Sequence, residues 1–339
     1  MRNEHAVFPL ISLILVVRNE VTSLAEVLLS FVAQDYPNDC KEIIVVDGLS
    51  DDGTREKTDE LLKKLHTEGY QCSLIDNPDQ ILASGWNIAI HAAKGEFVCR
   101  IDAHSSIAPD YVSRAIALLQ DHQYENAVAV GGVIVENTAS TSFGRLTADL
   151  YGSKFGVGNS PFRIPPKTIV EADTTVFGVY RRKVILEYGF NLALKRNQDI
   201  DLHKRLRRDG WKLIVNPDMH VKYETRGTFY KLLQKGYHDG FWIPFSGGSL
   251  RHKIPMLFVL YLVLLLFSLF VPSTLFRYFA LFPLLTYLVP AVFFAIRDGT
   301  TCMSKLLLPF VFFSFHFSYG LGTWIGYFNK MSSGRVPLK

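Results

Sequence analysis

Apolar and polar residues alternate along the first 135 residues with two different periods. Short apolar runs rich in β-branched residues predict buried strands at Ile11–Val17 and at residues 42–47, 72–76, 96–102 and 127–135. Between them, apolar residues recur at helical spacing, for example at Leu24, Val27, Leu28 and Phe31. Further helices are predicted to begin near Gln80, at Pro109 and at Thr54, with Thr54 as N-cap.

This alternation predicts an α/β fold with a mostly parallel sheet covered by helices. In such sheets ligands bind beyond the carboxyl ends of the strands, so the polar residues at those ends are the first candidates for a binding site. They are Asn19 and Glu20, Asp47, and the segment from Asp102 to His104. After Glu136 the rhythm stops, and four glycines predict a mobile, loop-rich segment that faces substrate; they are Gly144, Gly152, Gly156 and Gly158.

The last quarter of the chain is mostly apolar, and nearly all charged residues precede Lys253. Residues 255–271, 275–296 and 306–328 are each about long enough to cross a hydrocarbon core of about 30 Å as a helix. Three crossings would place the basic tail opposite the N-terminal domain, against the positive-inside rule. One segment is therefore a candidate for a re-entrant or interfacial helix.

The apolar run at residues 6–17 could instead be the core of a signal peptide. It contains Pro9, lacks a small-x-small cleavage site and ends in Arg18, Asn19 and Glu20. A buried first strand explains this run better.

Composition narrows the possible partners. The formal net charge is +4 with a pI near 8.7, but basic and acidic residues are interspersed, so we expect no nucleic-acid partner. The cysteines, which fit a reducing cytoplasm, have no C-x-x-C spacing and indicate neither a zinc site nor a disulfide framework.

Candidate chemistry follows from the strand ends. Asp47 could accept hydrogen bonds from a base or ribose, although its Asp-Gly context alone favours a turn-forming role. Asp102 and His104 flank Ala103 directly after a strand and could hold Mg²⁺ or, as the imidazole favours, Mn²⁺; alone, such a triplet is more often a helix cap. Asp199 and Asp201 open a basic helix, where acidic residues also complement the helix dipole.

Together these residues resemble family two of the inverting nucleotide-sugar glycosyltransferases, which have the GT-A fold. Residues 11–20 resemble that family's opening strand and nucleotide-binding turn, and residues 43–54 its second-strand motif. Residues 87–96 resemble the helix and turn that lead into its D-x-D strand, which reads Asp102-Ala103-His104 here. Gln198-Asp199 resembles its E-D motif, with Gln198 in place of the usual Glu.

The resemblance implies a role for each residue. Asp199 would be the catalytic base, and Asp102 and His104 would bind a divalent cation, Mn²⁺ or Mg²⁺. The donor would be held by Val17, Asn19, Glu20, Asp47, Asn87 and Asp102. Asp201 is the rival base, but two positions along a helix rotate a side chain by about 200°, so only one of the pair can face the donor.

Within the family, the overall pattern is closest to succinoglycan-type bacterial exopolysaccharide glycosyltransferases. This implies transfer of a sugar from a nucleotide-sugar donor, with a UDP-sugar expected, to a lipid-linked saccharide. We expect a multi-pass protein of the cell (inner or plasma) membrane with a cytoplasmic catalytic domain. The predicted domains are residues 1–253 (nucleotide-sugar half 8–135, acceptor half 136–253), a membrane domain of two to three helices at 254–328, and a basic tail at 329–339.

Two other classes of function were weighed. A dehydrogenase would have G-x-G-x-x-G after the first strand, whereas the chain has Val17-Arg18-Asn19-Glu20, so this class is excluded. A catalytically inactive membrane homologue that acts in binding or assembly stays open. Such a homologue would be expected to lose Asp102 or Asp199, and both are present.

Overall fold

The computed structural model describes residues 8–139, 141–225, 227–268 and 270–333. Arg335 and Lys339 of the predicted basic tail lie outside these described residues. Contacts within the chain define two compact units, one formed by Met1–Glu136 and Pro165–Tyr223, the other by Asn137–Ile164 and Glu224–Lys339. The functional division into a nucleotide-sugar half and an acceptor half stays a prediction.

The secondary structure begins with alternating strands and helices. In chain order these are β1 (Ile11–Val17), α1 (Leu24–Val32), β2 (Lys41–Asp47), α2 (Thr54–Thr67), β3 (Gln71–Asp76), α3 (Leu82–Ala92), β4 (Phe97–Ile101), β5 (Ser105–Ile107), α4 (Tyr111–Gln120) and β6 (Ala127–Thr138). They are followed by α5 (Ser142–Gly152), α6 (Lys154–Val157), β7 (Val170–Glu171), β8 (Val179–Arg181), α7 (Arg182–Tyr188), α8 (Gln198–Arg208), β9 (Lys212–Glu224), α9 (Phe229–Ser246), α10 (Ile254–Ser268), α11 (Thr274–Asp298) and α12 (Cys302–Ser333).

One mixed sheet organises the first unit. Its strand order is β3-β2-β1-β4-β8-β6-β9-β5, with β7 paired to β9. The strands β3, β2, β1 and β4 are parallel, as the sequence predicts, whereas β8 runs antiparallel to both β4 and β6. The strands β5 and β7 are also antiparallel to β9. The α/β prediction is confirmed, with an antiparallel half added.

Two apolar layers cover the faces of this sheet. In β1, Ile11, Leu13, Leu15 and Val17 pack with α1, α2 and α4, while Ile14 packs with α3, α7 and α8 on the other face. Strand residues alternate between faces, and burial on both explains why β1 and β2 read as continuous apolar runs. The prediction of a buried first strand rather than a signal peptide core is confirmed for Ile11–Val17.

The start of α2 differs from its prediction. The sequence predicts Thr54 as the N-cap, but Gly53 holds that position, with a φ of 92° that disfavours other residues. Because glycine has no side chain, Asp52 provides the cap: its Oδ1 accepts a hydrogen bond from the Thr54 amide at 2.9 Å and one from the Thr54 hydroxyl at 2.5 Å. The Thr54 hydroxyl lowers the pKa of the exposed Asp52 carboxyl.

The prediction of a loop-rich segment after Glu136 is wrong for much of its length, because α5 and α6 occupy Ser142–Gly152 and Lys154–Val157. The Thr141 hydroxyl caps α5 by accepting a hydrogen bond from the Gly144 amide at 3.0 Å. Gly156 permits a close approach rather than a loop, since a Cβ there would lie 2.1 Å from the Leu150 carbonyl oxygen. Glycine composition alone does not distinguish a loop from a close approach of two backbone segments.

Three helices of the second unit are long and apolar enough to cross a membrane. They span Leu250–Ser268, Ala280–Asp298 and Cys302–Ser332. The helices α11 and α12 continue through Pro283, Pro290 and Pro309, as predicted. The most apolar stretches of the first two helices are 6% and 11% buried within the protein, whereas that of the third helix is 50% buried. About half of the apolar stretch of the third helix is therefore covered by protein.

Candidate active site

The carboxyl ends of β1, β2 and β4 meet at one edge of the sheet. Val17 pairs with Asp47 in the neighbouring strand, and Leu15 pairs with Ile101 on the other side. The turn after Val17, the loop after Asp47 and the Asp102 segment therefore begin close together. The predicted position of the site at this edge follows from the register of the three parallel strands.

The turn after β1 is tied to the loop after β2. The Gly48 amide donates to the Val17 carbonyl at 2.8 Å. Asn19 has a φ of 57°; its backbone amide donates to the Ser50 hydroxyl at 3.0 Å, and its side-chain amide exchanges hydrogen bonds of 2.8 and 3.1 Å with Asp51. Asn19 thus fixes the spacing of the two loops.

Glu20 joins the same pair of loops. Its backbone amide donates to the Thr54 hydroxyl at 2.8 Å, and its carboxylate accepts a hydrogen bond from the Ser23 hydroxyl at 3.0 Å. The first helical residue of α2 is therefore bonded both to Asp52 and to the turn after β1. The backbone of this turn is held in place before any ligand arrives.

Asp47 is fully buried and forms a turn with its own loop. Its Oδ1 accepts a hydrogen bond from the Ser50 hydroxyl at 2.5 Å, and its Oδ2 accepts one from the Ser50 amide at 3.1 Å. The Arg55 guanidinium lies 3.6 Å from the same carboxylate and also pairs with Asp76. The turn-forming role considered from the sequence is present, and a nucleoside-binding role stays a prediction.

Asn87 lies in α3 and uses its side chain to hold a distant segment. Its amide nitrogen donates to the Phe190 carbonyl at 2.9 Å, and its carbonyl oxygen accepts from the Phe190 backbone amide at 2.7 Å. These two bonds join α3 to the chain just after α7. They favour a supporting role for Asn87 behind the site over direct contact with a donor.

Asp102 and His104 follow β4. The Asp102 side chain is 34% exposed, and its Oδ1 lies 3.8 Å from Nη2 of the buried Arg100. His104 is half-buried against Tyr223, with 2.9 Å between its Nε2 and the tyrosine hydroxyl. One carboxylate is thus accessible beside one oriented imidazole.

The candidate base Asp199 lies in the first turn of α8, after Asn197, whose φ is 58°. It interacts electrostatically with Arg100, Tyr180 and His203. Asp201 makes different contacts: its carboxylate accepts a hydrogen bond from the Arg205 Nε at 2.9 Å. The two acidic residues of this turn therefore have separate surroundings, as their spacing predicts.

Arg100, Trp86, Tyr180 and His203 form the part of the site that sequence reasoning missed. Nη2 of Arg100 lies 3.8 Å from Asp102 Oδ1, and the guanidinium also interacts electrostatically with Asp199. The sequence did contain a signal, because the strand Phe97–Ile101 is apolar except for this arginine. Arginine is almost never fully buried unless it is paired.

The residues at Asp102 fit a divalent cation that arrives with its substrate. Among the described residues, no cluster of three or more His, Cys, Asp and Glu side chains could hold a metal ion alone. Mg²⁺ and similar cations often take only one or two protein ligands, the rest being water and substrate phosphates. In the tautomer whose Nε2–H donates to Tyr223, the Nδ1 lone pair of His104 is available as a second ligand.

The fold is that of a glycosyltransferase with the GT-A architecture. Residues 12–189 match the model of glycosyl transferase family 2, and the chain belongs to this family. The predicted family resemblance and fold are confirmed. So is the role of the protein as a glycosyltransferase.

Two relatives extend this result. The chain is 27% identical over 254 residues to the dolichyl N-acetyl-alpha-D-glucosaminyl phosphate 3-beta-D-2,3-diacetamido-2,3-dideoxy-beta-D-glucuronosyltransferase of Methanococcus voltae, covering 70% of this chain and 78% of that protein. It is 27% identical over 221 residues to the succinoglycan biosynthesis protein ExoA of Rhizobium meliloti, covering 62% of this chain and 60% of that protein.

Solved structures agree on the fold. The mannosyltransferase PcManGT of Pyrobaculum calidifontis, solved with GDP-Man and Mn²⁺, aligns with a TM-score of 0.57 and 17% identity over 97% of this chain and 88% of that chain. GalNAc-T7, solved with UDP, GalNAc and Mn²⁺, aligns with a TM-score of 0.51 and 14% identity over 70% of this chain and 48% of that chain.

Proposed function

We propose that the protein transfers a sugar, with inversion, from a nucleotide-sugar donor to a lipid-linked saccharide at the cytoplasmic face of the membrane. The observation that carries this proposal is the pair of carboxylates, Asp102 and Asp199, on two different elements around one buried arginine. One would act on the donor side and the other on the acceptor side. A relative that acts on a dolichyl-phosphate-linked sugar supports the choice of acceptor.

The reaction is a direct displacement at the anomeric carbon. Asp199 takes the proton of the acceptor hydroxyl, the acceptor oxygen bonds to the anomeric carbon, and the bond to the diphosphate breaks with its electron pair. Asp102 and His104 would hold a divalent cation, which when bound neutralises charge on the leaving diphosphate. A single displacement inverts the anomeric configuration.

We assign donor binding to the turn after β1 and the loop after β2, which hydrogen bonds join to each other. Val17, Asn19, Glu20 and Asp47 surround the edge between β1 and β2 and would receive the nucleoside, with a UDP-sugar as the expected donor. Bound UDP and GDP-Man in solved GT-A structures support a nucleotide-sugar. Asn87 would support donor binding indirectly, through its two hydrogen bonds to the Phe190 backbone, and would not contact the donor itself.

An assay of purified full-length protein tests the proposal. UDP-, GDP- and dTDP-sugars are supplied with a lipid-linked saccharide, with and without Mn²⁺, and nucleoside diphosphate release and the product's anomeric configuration are measured. Mn²⁺-dependent transfer with inversion is expected. Binding of donor and acceptor without transfer under any of these conditions would instead support the catalytically inactive alternative, and retention would overturn the single displacement.

We also propose that only α10 and α11 cross the membrane. They form a hairpin in which the Tyr261 hydroxyl donates to the Ala280 carbonyl at 2.8 Å and the Phe258 and Tyr287 rings stack at 4.3 Å. A hairpin that enters and returns leaves both of its ends on one side of the membrane. Basic residues before α10 and at the end of α11, such as Lys253 and Arg297, would then lie on the cytoplasmic side.

The helix α12 packs most extensively along α9 and also contacts both helices of the hairpin. The Ser318 hydroxyl donates to the Leu233 carbonyl, and Lys330 Nζ donates to the Pro244 carbonyl, both at 2.6 Å. Because α9 carries charged residues, including the Lys235–Asp239 pair, it is unsuited to the membrane core. We therefore place α12 beside α9 at the membrane surface, on the same side of the membrane as Lys253 and Arg297.

A further inference from the structure

Arg100 is a buried charge in an otherwise apolar strand, and nothing in the proposed chemistry uses it. The residue is 9% exposed, and its guanidinium lies over the Trp86 ring at 4.8 Å and the Phe190 ring at 5.5 Å. The two aromatic faces fix the plane of the guanidinium. Its other neighbours are mostly apolar; they include Ile14, Ile90, Val98, Ile185 and Leu202.

The hydrogen-bonding capacity of Arg100 is largely unmet. Among the described residues, its buried Nε and Nη1 have no hydrogen-bond partner, and the space lined by Ile14, Phe190 and their neighbours does not admit a water molecule. A buried guanidinium with unpaired donors lowers the free energy of unfolding. A methionine would fill the same space without the free-energy cost of burying a charge. Stability of the fold therefore does not explain why an arginine stands at position 100.

The charge of Arg100 is directed at the two candidate carboxylates. Its Nη2 lies 3.8 Å from Asp102 Oδ1, and the guanidinium also interacts with Asp199 and with Tyr180. Tyr180 is held by His203, whose Nε2 lies 2.9 Å from the tyrosine hydroxyl. Burial lowers the pKa of His203 to about 4, so this imidazole is neutral and adds no second positive charge near physiological pH.

We propose that Arg100 is a positioning residue that holds the Asp102 and Asp199 carboxylates in place for sugar transfer. Two carboxylates directed at one reacting centre repel each other, and a fixed cation behind both offsets this repulsion. Arg100 acts through them and does not reach substrate. This inference rests on the proposed function, since it takes Asp199 as the base and Asp102 as the donor-side ligand.

The replacement Arg100→Met tests the inference, because methionine is similar in length and removes both the charge and the unpaired donors. We expect the melting temperature to stay the same or to rise, while turnover falls by about 10²-fold with little change in KM. Arg100→Lys keeps the charge and should recover part of the lost turnover. Turnover of Arg100→Met within about threefold of the parent would overturn the proposal.

Lys41→Met is the matched control, because Lys41 is another buried basic residue but its ammonium donates to two carbonyls, those of Val32 and Gln34, at 3.1 and 3.2 Å. Its loss should lower the melting temperature and leave the turnover of the folded protein unchanged. A fall in melting temperature for Arg100→Met like that of Lys41→Met, without rescue by Arg100→Lys, would show a structural role and overturn the proposal.

A double-mutant cycle separates this inference from the function on which it rests. If Arg100 acts through the base, Arg100→Met should cost less than about threefold in an Asp199→Asn background. If the turnover losses of Arg100→Met and Asp199→Asn are fully additive in free energy in the double variant, the proposal for Arg100 is overturned. Normal turnover of Asp199→Asn would refute the assignment of the base, whereas a collapse of Asp199→Asn with a normal Arg100→Met would refute only the role of Arg100.

Discussion

At the scale of residues, three of the five described residues other than glycine that have a positive φ belong to the loops and the helix start of the candidate site. Asn19, Leu49 and Asn197 have φ values of 57°, 57° and 58°, in the left-handed region that residues other than glycine seldom adopt. Each costs on the order of 1–3 kcal/mol and persists only where neighbouring contacts fix it. Asn19 is fixed by Ser50 and Asp51. The turns are thus ordered in advance for a ligand.

The assignment of the base gives the first prediction. Asp199→Asn keeps the shape of the side chain and removes its basicity, so turnover should fall by about 10²–10⁴-fold while affinity for the nucleotide-sugar is nearly unchanged. Asp201→Asn is the control, because its carboxylate is already occupied by Arg205. Transfer rates and calorimetric donor affinities, measured for both variants, show which of the two residues is the base. A collapse confined to Asp201→Asn would move the base to that residue.

The cation site gives the second prediction. If His104 is a ligand, His104→Asp should retain transfer and shift the preferred cation from Mn²⁺ toward Mg²⁺, because a carboxylate is the harder ligand. Calorimetry with a nucleoside diphosphate and each cation measures the shift, and His104→Ala is the comparison. An unchanged cation dependence in His104→Ala would show that the imidazole is not a ligand.

At the scale of elements, one buried hydroxyl joins three strands of the first unit. Ser12 in β1 donates to Glu42 of β2 at 2.6 Å and accepts from the Gly95 amide, just before β4, at 2.9 Å. Glu42 also accepts from the Lys94 amide at 2.9 Å. This network fixes the ends of the strands opposite the candidate site, and with them the register of the parallel half.

Removing this hydroxyl should lower the free energy of unfolding. Ser12→Ala leaves the Gly95 amide unpaired and Glu42 short of a donor, at a cost of about 1–3 kcal/mol. Thermal unfolding of the detergent-solubilised protein measures the loss. Ser30→Ala is the control, because that hydroxyl only returns to the Val27 carbonyl of its own helix. Equal melting temperatures for the two variants would contradict this role of Ser12.

The contact between α9 and α12 depends on glycine. A Cβ at Gly322 would lie 2.0 Å from the Tyr237 carbonyl oxygen, so Gly322→Ala must separate the helices and should cost about 1–3 kcal/mol or more. Gly152→Ala, where no atom lies within 4 Å of the added Cβ, is the control. Melting temperature and protease resistance in detergent should fall for Gly322→Ala alone. Unchanged values would show that the helices do not require this close approach.

At the scale of the whole molecule, the two-crossing topology makes a prediction that three crossings do not. In a variant without the four native cysteines, Ser273→Cys before α11 should react with an impermeant maleimide added to intact cells. Ser332→Cys at the end of α12 should react only after the membrane is permeabilised. Labelling of Ser332→Cys in intact cells would support three crossings instead of two. Release of the protein from membranes by carbonate would refute membrane integration altogether.

The sequence by itself determined the parallel strands, the sheet edge where their polar ends meet, the apolar helices and the family. These features depend on local periodicity and on short motifs, which a single chain records directly. The runs at Ile11–Val17 and at residues 42–47 predicted their strands within a residue because burial on both faces leaves a continuous apolar pattern.

Only the tertiary structure decided which side chains meet. The antiparallel strands β8 and β9, the helices α5 and α6, and the path of α12 along α9 depend on contacts between residues far apart in the chain. The same holds for Arg100, which appears in the sequence as one charge in an apolar strand. Its interactions with both Asp102 and Asp199 exist only because α8 packs in the same apolar cluster as β4, and no local pattern encodes that proximity.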